Sequence, residues 1–108
     1  MKKYDVISDQ DAEDDLFDIY AFVVLNDSVD RADRLFAALR QTCLKLRKLP
    51  VRGNIPTELS EIGVMEFREL HYKPYHIIYS LASTNVFVHC VLDGRRDIQD
   101  ILQERLLR

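Results

Sequence analysis

Four side chains in the C-terminal half of the chain are of types that could act together on a phosphate: Arg68, His76, Arg95 and Arg96. Guanidinium groups hold phosphate oxygens while a nearby imidazole moves a proton, which is the chemistry of a metal-free ribonuclease. The alternative is that these arginines form surface ion pairs with neighbouring aspartates and glutamates. Residue types alone leave both interpretations open.

Metal and nucleotide sites have recognisable residue spacings, and the chain shows none of the common ones. Its histidines, His71, His76 and His89, form no HxH or HExxH pattern, and Cys43 and Cys90 form no CxxC pair. The GxSxG, P-loop and GxGxxG patterns are also missing from the sequence. We therefore predict no metal and no cofactor, and we interpret both cysteines as small buried apolar residues.

Charge is distributed unevenly along the chain. Residues 1–44 carry five basic and ten acidic side chains, a balance of −5, and residues 45–108 carry ten basic and eight acidic ones, a balance of +2. A protein that mainly grips phosphates usually shows a clear basic excess, so we predict no direct sequence-specific binding of nucleic acid. Acidic residues crowd positions 9–15, where we interpret them as the solvated start of a helix whose dipole favours negative charge.

The length of 108 residues, with 47% hydrophobic and 31% charged side chains, is typical of one globular domain, so we assign residues 1–108 to a single domain. No apolar stretch approaches the ~20 residues that a membrane span needs. The start, MKKYDVIS, lacks the apolar segment of a signal peptide. We therefore expect a cytoplasmic protein with no membrane partner.

The elements that must position the candidate residues follow from periodicity. Residues 3–8 alternate as a short strand, and residues 9–26 and 29–48 show apolar stripes at helical spacing, separated by a break at which Ser28 is a good N-cap. Such a short connection predicts an antiparallel helical hairpin. Residues 50–64 form an irregular connection. Three strands then follow, at 65–71, 75–81 and 86–92, and a helix at 97–107 closes the chain.

This order predicts an α+β fold: a strand, an antiparallel helical hairpin, a three-stranded antiparallel meander and a C-terminal helix. Alternation along the strands predicts one apolar sheet face under the hairpin, made of Ile77, Tyr79, Leu81, Val88, Cys90 and Leu92. The opposite face is expected to be open, and it would carry Glu66, Arg68, Leu70, His76, Ile78, Ser80, Phe87, His89 and Val91.

Several short motifs, in order along nearly the whole chain, resemble the RelE/ParE superfamily of bacterial toxin–antitoxin modules. They are DLFDIY at 15–20, LRKLPVRG at 46–53, FREL at 67–70, YxIIY at 75–79, VLxGRRD at 91–97 and the terminal RLL at 105–107. The resemblance implies the same strand, hairpin, meander and helix order. It also implies a cognate antitoxin that neutralises the toxin in a hetero-oligomeric complex.

The superfamily holds RelE-like toxins, which cut messenger RNA on the ribosome, and ParE-like toxins, which poison DNA gyrase. Where the nuclease branch typically has an arginine in the YxxxY motif, this chain has His76, and Leu102 falls at the place of the nuclease tyrosine. In place of two lysines on the preceding strand it offers only Arg68, and its net charge is −3 rather than strongly positive. These departures favour the ParE-like branch.

The resemblance therefore implies a ParDE-like plasmid-stabilisation toxin that inhibits gyrase without a catalytic residue of its own. We predict that the target-binding residues are Arg68, His76, Arg95, Arg96, Arg105 and Arg108. We predict that the antitoxin contacts Phe17, Val24, Leu25 and Ala38. One alternative is a ribosome-dependent endoribonuclease using His76, Arg68 and Arg96. A second is an inactive homologue that retains only antitoxin binding.

Overall fold

A computed structural model describes residues 3–107 and shows the predicted α+β order of elements. The strands and helices are β1 (Asp5–Ser8), α1 (Gln10–Asn26), α2 (Val29–Leu44), a 3-10 turn (Lys45–Arg47), α3 (Thr57–Ser60), β2 (Arg68–Tyr72), β3 (Tyr75–Ala82), β4 (Asn85–Asp93) and α4 (Ile98–Leu106). The short helix α3 lies inside the segment that the sequence predicts to be irregular. The fold class and the order of the long elements are confirmed.

The four strands form one sheet in the order β1-β4-β3-β2. β2, β3 and β4 pair antiparallel, which confirms the predicted meander. β1 pairs parallel with β4, from Asp5 opposite Asn85 to Ser8 opposite Val88. The first and the last strand of the chain are therefore neighbours in the sheet. The helical hairpin lies between these two strands in the sequence.

Side-chain caps define where the hairpin helices begin. Asp9 Oδ1 accepts a hydrogen bond of 3.0 Å from the Ala12 amide, and Ser28 Oγ accepts one of 3.1 Å from the Arg31 amide. These bonds satisfy amides that a helix N-terminus leaves unpaired. Only Asp27 and Ser28 connect α1 to α2, so the two helices pack antiparallel, as the sequence predicts.

A β-bulge in β4 changes which side chains point to each face of the sheet. Ile78 lies opposite Cys90, but Tyr79 lies opposite Val88, so His89 is an extra residue without a partner position. Because successive strand side chains alternate, an extra residue reverses the alternation beyond it. The sequence assignment is therefore wrong for Cys90 and Leu92, which lie away from the hairpin. It is also wrong for Val91, which packs under it.

The sheet has an apolar core on each side. On the hairpin face, α1 and α2 pack on a core that includes Leu70, Ile77, Tyr79, Val86, Val88 and Val91. Leu70 belongs to this face because it pairs with Ile77, so its predicted place on an open face is also wrong.

The opposite side, which we call the C-terminal face, is covered by α3 and α4. Its core contains Leu59, Ile78, Cys90, Leu92, Ile98 and Leu102. The prediction of an open face is therefore wrong. The physical reason is that the closing helix is amphipathic and buries its apolar stripe on the side that the hairpin leaves free.

The irregular segment after α2 is anchored to the sheet at Gly53. Its amide donates a hydrogen bond of 2.9 Å to the Tyr79 hydroxyl, and the next residue, Asn54, forms a backbone bridge to Glu69. A Cβ at position 53 would lie 2.3 Å from the Glu69 carbonyl oxygen. Glycine is therefore required there, because only a residue without a side chain allows this approach.

The two cysteines lie in the two different cores. Both are free and buried, and burial raises the pKa of the Cys43 thiol to about 11 and that of Cys90 to about 12. The prediction that they are small buried apolar residues is confirmed. Within residues 3–107, no helix is long and apolar enough to cross a membrane.

Replacement of Leu102 by alanine tests the second core. Leu102 is fully buried, so L102A should lower the free energy of unfolding by about 2–5 kcal/mol. Urea denaturation followed by circular dichroism measures the change. L107A is the control, because Leu107 is 40% exposed and its loss should change stability by less than about 0.5 kcal/mol. Equal effects of the two variants would contradict a packed C-terminal face.

Candidate functional site

The structure separates two residues that the sequence analysis groups together. Arg68 pairs with Tyr79 and shares the hairpin face, where its Nη1 donates a hydrogen bond of 2.8 Å to the Gly53 carbonyl. His76 pairs with His71 and lies on the C-terminal face. Arg68 and His76 therefore cannot hold and attack the same phosphate. The alternative that Arg68 pairs with a neighbouring glutamate is also wrong, since its partner is a carbonyl.

His76 instead belongs to a cluster that the sequence analysis missed. Glu69 is 4% exposed, and its Oε1 lies 2.6 Å from His71 Nε2 and 2.6 Å from His76 Nδ1. The two imidazole rings meet edge to face, with centroids 4.6 Å apart. The signal in the sequence was Glu69-x-His71, two positions apart on one strand, with His76 just beyond the turn. The space for His76 depends on Gly94, where a Cβ would lie 2.6 Å from His76 Nε2.

Arg95 and Arg96 follow β4 in an exposed turn. Arg95 Nε donates a hydrogen bond of 3.0 Å to Asp93 Oδ1, and Nη2 reaches Asp93 Oδ2 at 2.5 Å. The hydrogen bond from Arg95 lowers the pKa of the Asp93 carboxyl below its usual value. The expected ion pair between Arg95 and Asp93 is thereby confirmed, and the role of Arg95 in target binding stays a prediction.

Asp15 and Arg105 form an ion pair that joins three elements. The buried Asp15 on α1 accepts a hydrogen bond of 3.0 Å from the Val91 amide of β4 and one of 2.7 Å from Arg105 Nη1 of α4. The hydrogen bond to Asp15 raises the pKa of the Arg105 guanidinium above its usual value. Arg105 therefore has a structural task in addition to its predicted role in target binding. Arg108, also predicted to bind the target, lies outside the described residues.

The interpretation of the acidic run at 9–15 as a solvated helix start is wrong for Asp15, which is buried. Position 15 follows Ala12 by three residues and so lies beside the buried stripe of α1. Asp9 also does more than face solvent. Its Oδ2 lies 2.9 Å from His89 Nδ1, and His89 Nε2 lies 2.7 Å from Ser80 Oγ. This chain of contacts ties the bulge residue to the start of α1.

A cavity of about 410 Å³ brings three of the predicted target-binding residues together. Arg95, Arg96 and Arg105 line it, and so do the carboxylates of Asp15, Asp18 and Asp93. Among residues 3–107, three positive and three negative side chains line the cavity, so neither charge is in excess there. Such a balance suits hydrogen bonding to a polar protein surface better than the binding of a phosphate.

A larger groove of about 800 Å³ continues from this cavity, between the end of the hairpin and the β2–β3 turn. Phe22, Tyr75 and Arg95 line both. The groove has an apolar and aromatic lining with basic residues, which include Phe22, Leu35, Tyr72, Arg31, Arg34, Lys73 and Arg95. Asp27 is the acidic residue that lines it, and it pairs with Arg31 at 2.8 Å.

The residues predicted to contact an antitoxin lie on the outer side of the hairpin. Phe17 is 69% exposed and Leu25 is 83% exposed, whereas Val24 and Ala38 are half-buried. The sequence analysis missed Phe22, which is 62% exposed and lines the groove. The signal was its position on α1 outside the buried stripe. Whether an antitoxin binds these residues stays a prediction.

Comparison with protein families identifies this architecture. Residues 6–98 match the family model described as the ParE toxin of the type II toxin–antitoxin system parDE. The match covers most of the chain, so the protein belongs to this toxin family. It is a type II toxin of the ParE/RelE superfamily, as the resemblance implied. A comparison with curated proteins gives no match.

Two solved structures have similar folds. One is described as the chromosomal ParDE toxin–antitoxin system from P. aeruginosa; it has a TM-score of 0.72 at 15% identity and covers 84% of this chain and 96% of that one. The other is the RelBE2 toxin–antitoxin complex from Mycobacterium tuberculosis, with a TM-score of 0.64 at 18% identity, covering 86% of this chain and 93% of that one. At these identities the likeness concerns the fold.

Replacement of Asp15 by asparagine tests the ion pair. D15N leaves Arg105 without its counter-charge in a partly buried position, so we expect a loss of roughly 3 kcal/mol in the free energy of unfolding. Chemical denaturation measures it. D14N is the matched control, because Asp14 is exposed and accepts a hydrogen bond of 2.8 Å from Gln10 Nε2 within the same helix. A D15N protein as stable as D14N would show that the pair does not hold α4 in place.

Proposed function

We propose that this toxin inhibits DNA gyrase by binding and stalling its cleaved-DNA complex in the cytoplasm, and that a cognate antitoxin neutralises it. The observation that carries the proposal is the separation of Arg68 and His76 onto opposite faces of the sheet. It argues against the alternative, a ribosome-dependent endoribonuclease.

A ribonuclease needs positive charge and a proton-transfer group around one phosphate. In this chain His76 is bonded to a buried carboxylate, Arg68 to a backbone carbonyl and Arg105 to Asp15. Leu102, at the place of the nuclease tyrosine, is fully buried in the second core. Of the residues named for the nuclease alternative, His76 and Arg68 are therefore bonded to other groups on opposite faces, while Arg96 is exposed in the turn after β4.

The turn that carries Arg95 and Arg96 is the surface that best fits target binding. Both side chains are exposed, and both line the charge-balanced cavity beside α1. Arginine at an interface offers several donors in a rigid, planar arrangement and often contributes strongly to binding. This turn supports a role in docking on a large protein target.

The outer face of α1 and the groove beside it support the proposal of an antitoxin partner. Exposed Phe17, Phe22 and Leu25 offer apolar anchors, and Arg31, Arg34 and Lys73 offer positive charge along the groove. A segment that carries both apolar and acidic side chains would complement this surface. Both similar structures named above are toxin–antitoxin systems.

Replacement of Arg95 and Arg96 by alanine tests the target-binding turn. We expect the wild-type protein to inhibit gyrase supercoiling and to increase cleaved DNA, and R95A/R96A to lose at least about tenfold in potency because interface arginines are frequent hot spots. The assay uses purified gyrase and relaxed plasmid. The control is R40A, since Arg40 lies on α2, where its guanidinium stacks on Phe36.

Two outcomes would contradict the proposal for gyrase. One is unchanged supercoiling at toxin concentrations well above that of gyrase. The other is the appearance of new codon-linked ends in primer extension on messenger RNA after induction, which would establish the ribonuclease alternative. Full inhibition of gyrase by R95A/R96A would instead show that this turn of the toxin does not contact the target.

Replacement of Phe17 and Leu25 by aspartate tests the antitoxin surface. The probe is the protein encoded next to the toxin gene, co-expressed and purified with it. F17D/L25D should weaken the complex at least about tenfold, since charge on an apolar contact must be desolvated. V51D is the control, because Val51 is 62% exposed in the connection after α2. If F17D/L25D bound the antitoxin as tightly as V51D does, this face would be excluded as the antitoxin site.

A further inference from the structure

The β2–β3 hairpin brings a carboxylate and two imidazoles together at one point of the C-terminal face. Glu69 and His71 are two residues apart on β2, so both point to the same side, and His76 lies directly opposite His71 on β3. The ligand atoms of the three side chains lie within 4.8 Å of one another. Strand pairing fixes this arrangement, because all three residues have pairing partners in the β2–β3 ladder.

We propose that Glu69, His71 and His76 bind one divalent transition-metal ion. The chemistry of these ligands favours Zn²⁺. Two imidazole nitrogens and one carboxylate oxygen are typical of open zinc sites, in which a water completes the tetrahedron. Calcium and magnesium prefer oxygen ligands in larger number, so this set selects against them. The sequence prediction of no metal rested on the HxH and CxxC patterns and did not consider Glu-x-His with a cross-strand histidine.

The three ligands differ in burial, which suits a metal site that is anchored inside the protein and open to solvent on one side. Glu69 is 4% exposed, the side chain of His76 is 25% exposed and that of His71 is 49% exposed. The carboxylate therefore provides an anchored negative charge inside the protein. His71 leaves a path for the ion from solvent and space for a water ligand.

The present distances require only a small adjustment. Glu69 Oε1 lies 2.6 Å from each of the two nitrogens, which are hydrogen-bond distances. Around a tetrahedral Zn²⁺ with bonds of about 2.0–2.2 Å, ligand atoms lie roughly 3.3 Å apart. Each nitrogen must present its lone pair to the ion, so its hydrogen moves to the other ring nitrogen or to solvent. Because the His71 side chain is half exposed, solvent lies on the side toward which its ring would turn to reach this distance.

The bound ion would hold the edge strand β2 to β3 close to Tyr72, the last residue of β2, and to Lys73 in the turn that follows. Both residues line the groove of about 800 Å³. The ion would therefore stabilise one wall of that groove. This inference does not depend on gyrase being the target, because metal binding is measured without gyrase, although His76 is also one of the predicted target-binding residues.

Isothermal titration of the full chain with ZnCl₂ tests the site, with protein that carries no histidine tag and has been treated with a chelator. We expect one ion per chain with a Kd in the micromolar range or below. CoCl₂ should give visible absorption bands of tetrahedral or five-coordinate Co²⁺, and MgCl₂ should give no signal. At a hundredfold excess of Zn²⁺ over the Kd, the Tm should rise by roughly 10 °C.

H71Q is the primary variant, because His71 is half exposed and its replacement should leave the fold intact. It should bind Zn²⁺ at least about tenfold more weakly and lose most of the rise in Tm. H89Q is the matched control. His89 also contacts a carboxylate, Asp9, but its second partner is Ser80 rather than a histidine. H89Q should therefore bind Zn²⁺ with the affinity of the wild-type protein.

Two results would overturn the proposal. One is the absence of both the heat of Zn²⁺ binding and the Co²⁺ spectrum in wild-type protein whose circular dichroism shows it to be folded. The other is an equal Zn²⁺ affinity for H71Q and the wild type. In either case the trio would be a hydrogen-bonded cluster that satisfies the buried Glu69 carboxylate. Neither result would bear on gyrase inhibition, which is measured separately.

Discussion

A buried carboxylate at Asp15 is the constraint on which the arrangement of the layers depends. A buried charge is tolerated only when it is paired and hydrogen-bonded, and Asp15 has both partners, the Arg105 guanidinium and the Val91 amide. The amide belongs to the part of β4 that extends beyond Ser8, the end of its parallel partner β1. The Asp15 side chain of α1 thus accepts the hydrogen bond that a further residue of β1 would otherwise accept. It also binds α4 through Arg105.

The bulge at His89 decides which residues of β4 belong to each of the two cores. Before the bulge, β4 directs Val86 and Val88 toward the hairpin, and after it the strand directs Cys90 and Leu92 toward α4. The bulge residue is itself fixed, because His89 contacts the cap residue Asp9 on one side and Ser80 on the other. Buried apolar surface on both faces supplies the stability that a domain of this size needs.

Three of the arginines that the sequence predicts to bind the target are each bonded to a separate partner. Arg95 pairs with Asp93 and Arg105 pairs with Asp15, while Arg68 donates a hydrogen bond to the Gly53 carbonyl on the hairpin face. A surface of this kind can recognise a protein through many directed hydrogen bonds.

The sequence by itself determined the order of the long elements, the cap at Ser28, the buried cysteines and the toxin family. These follow from periodicity, capping and short motifs, all of which act over a few residues. Only the tertiary structure decided that Asp15 is buried, that β4 changes faces at His89 and that His76 joins Glu69 and His71. Each of these depends on strand register or on contacts between distant residues, such as Asp15 with Arg105, and local patterns alone do not determine them.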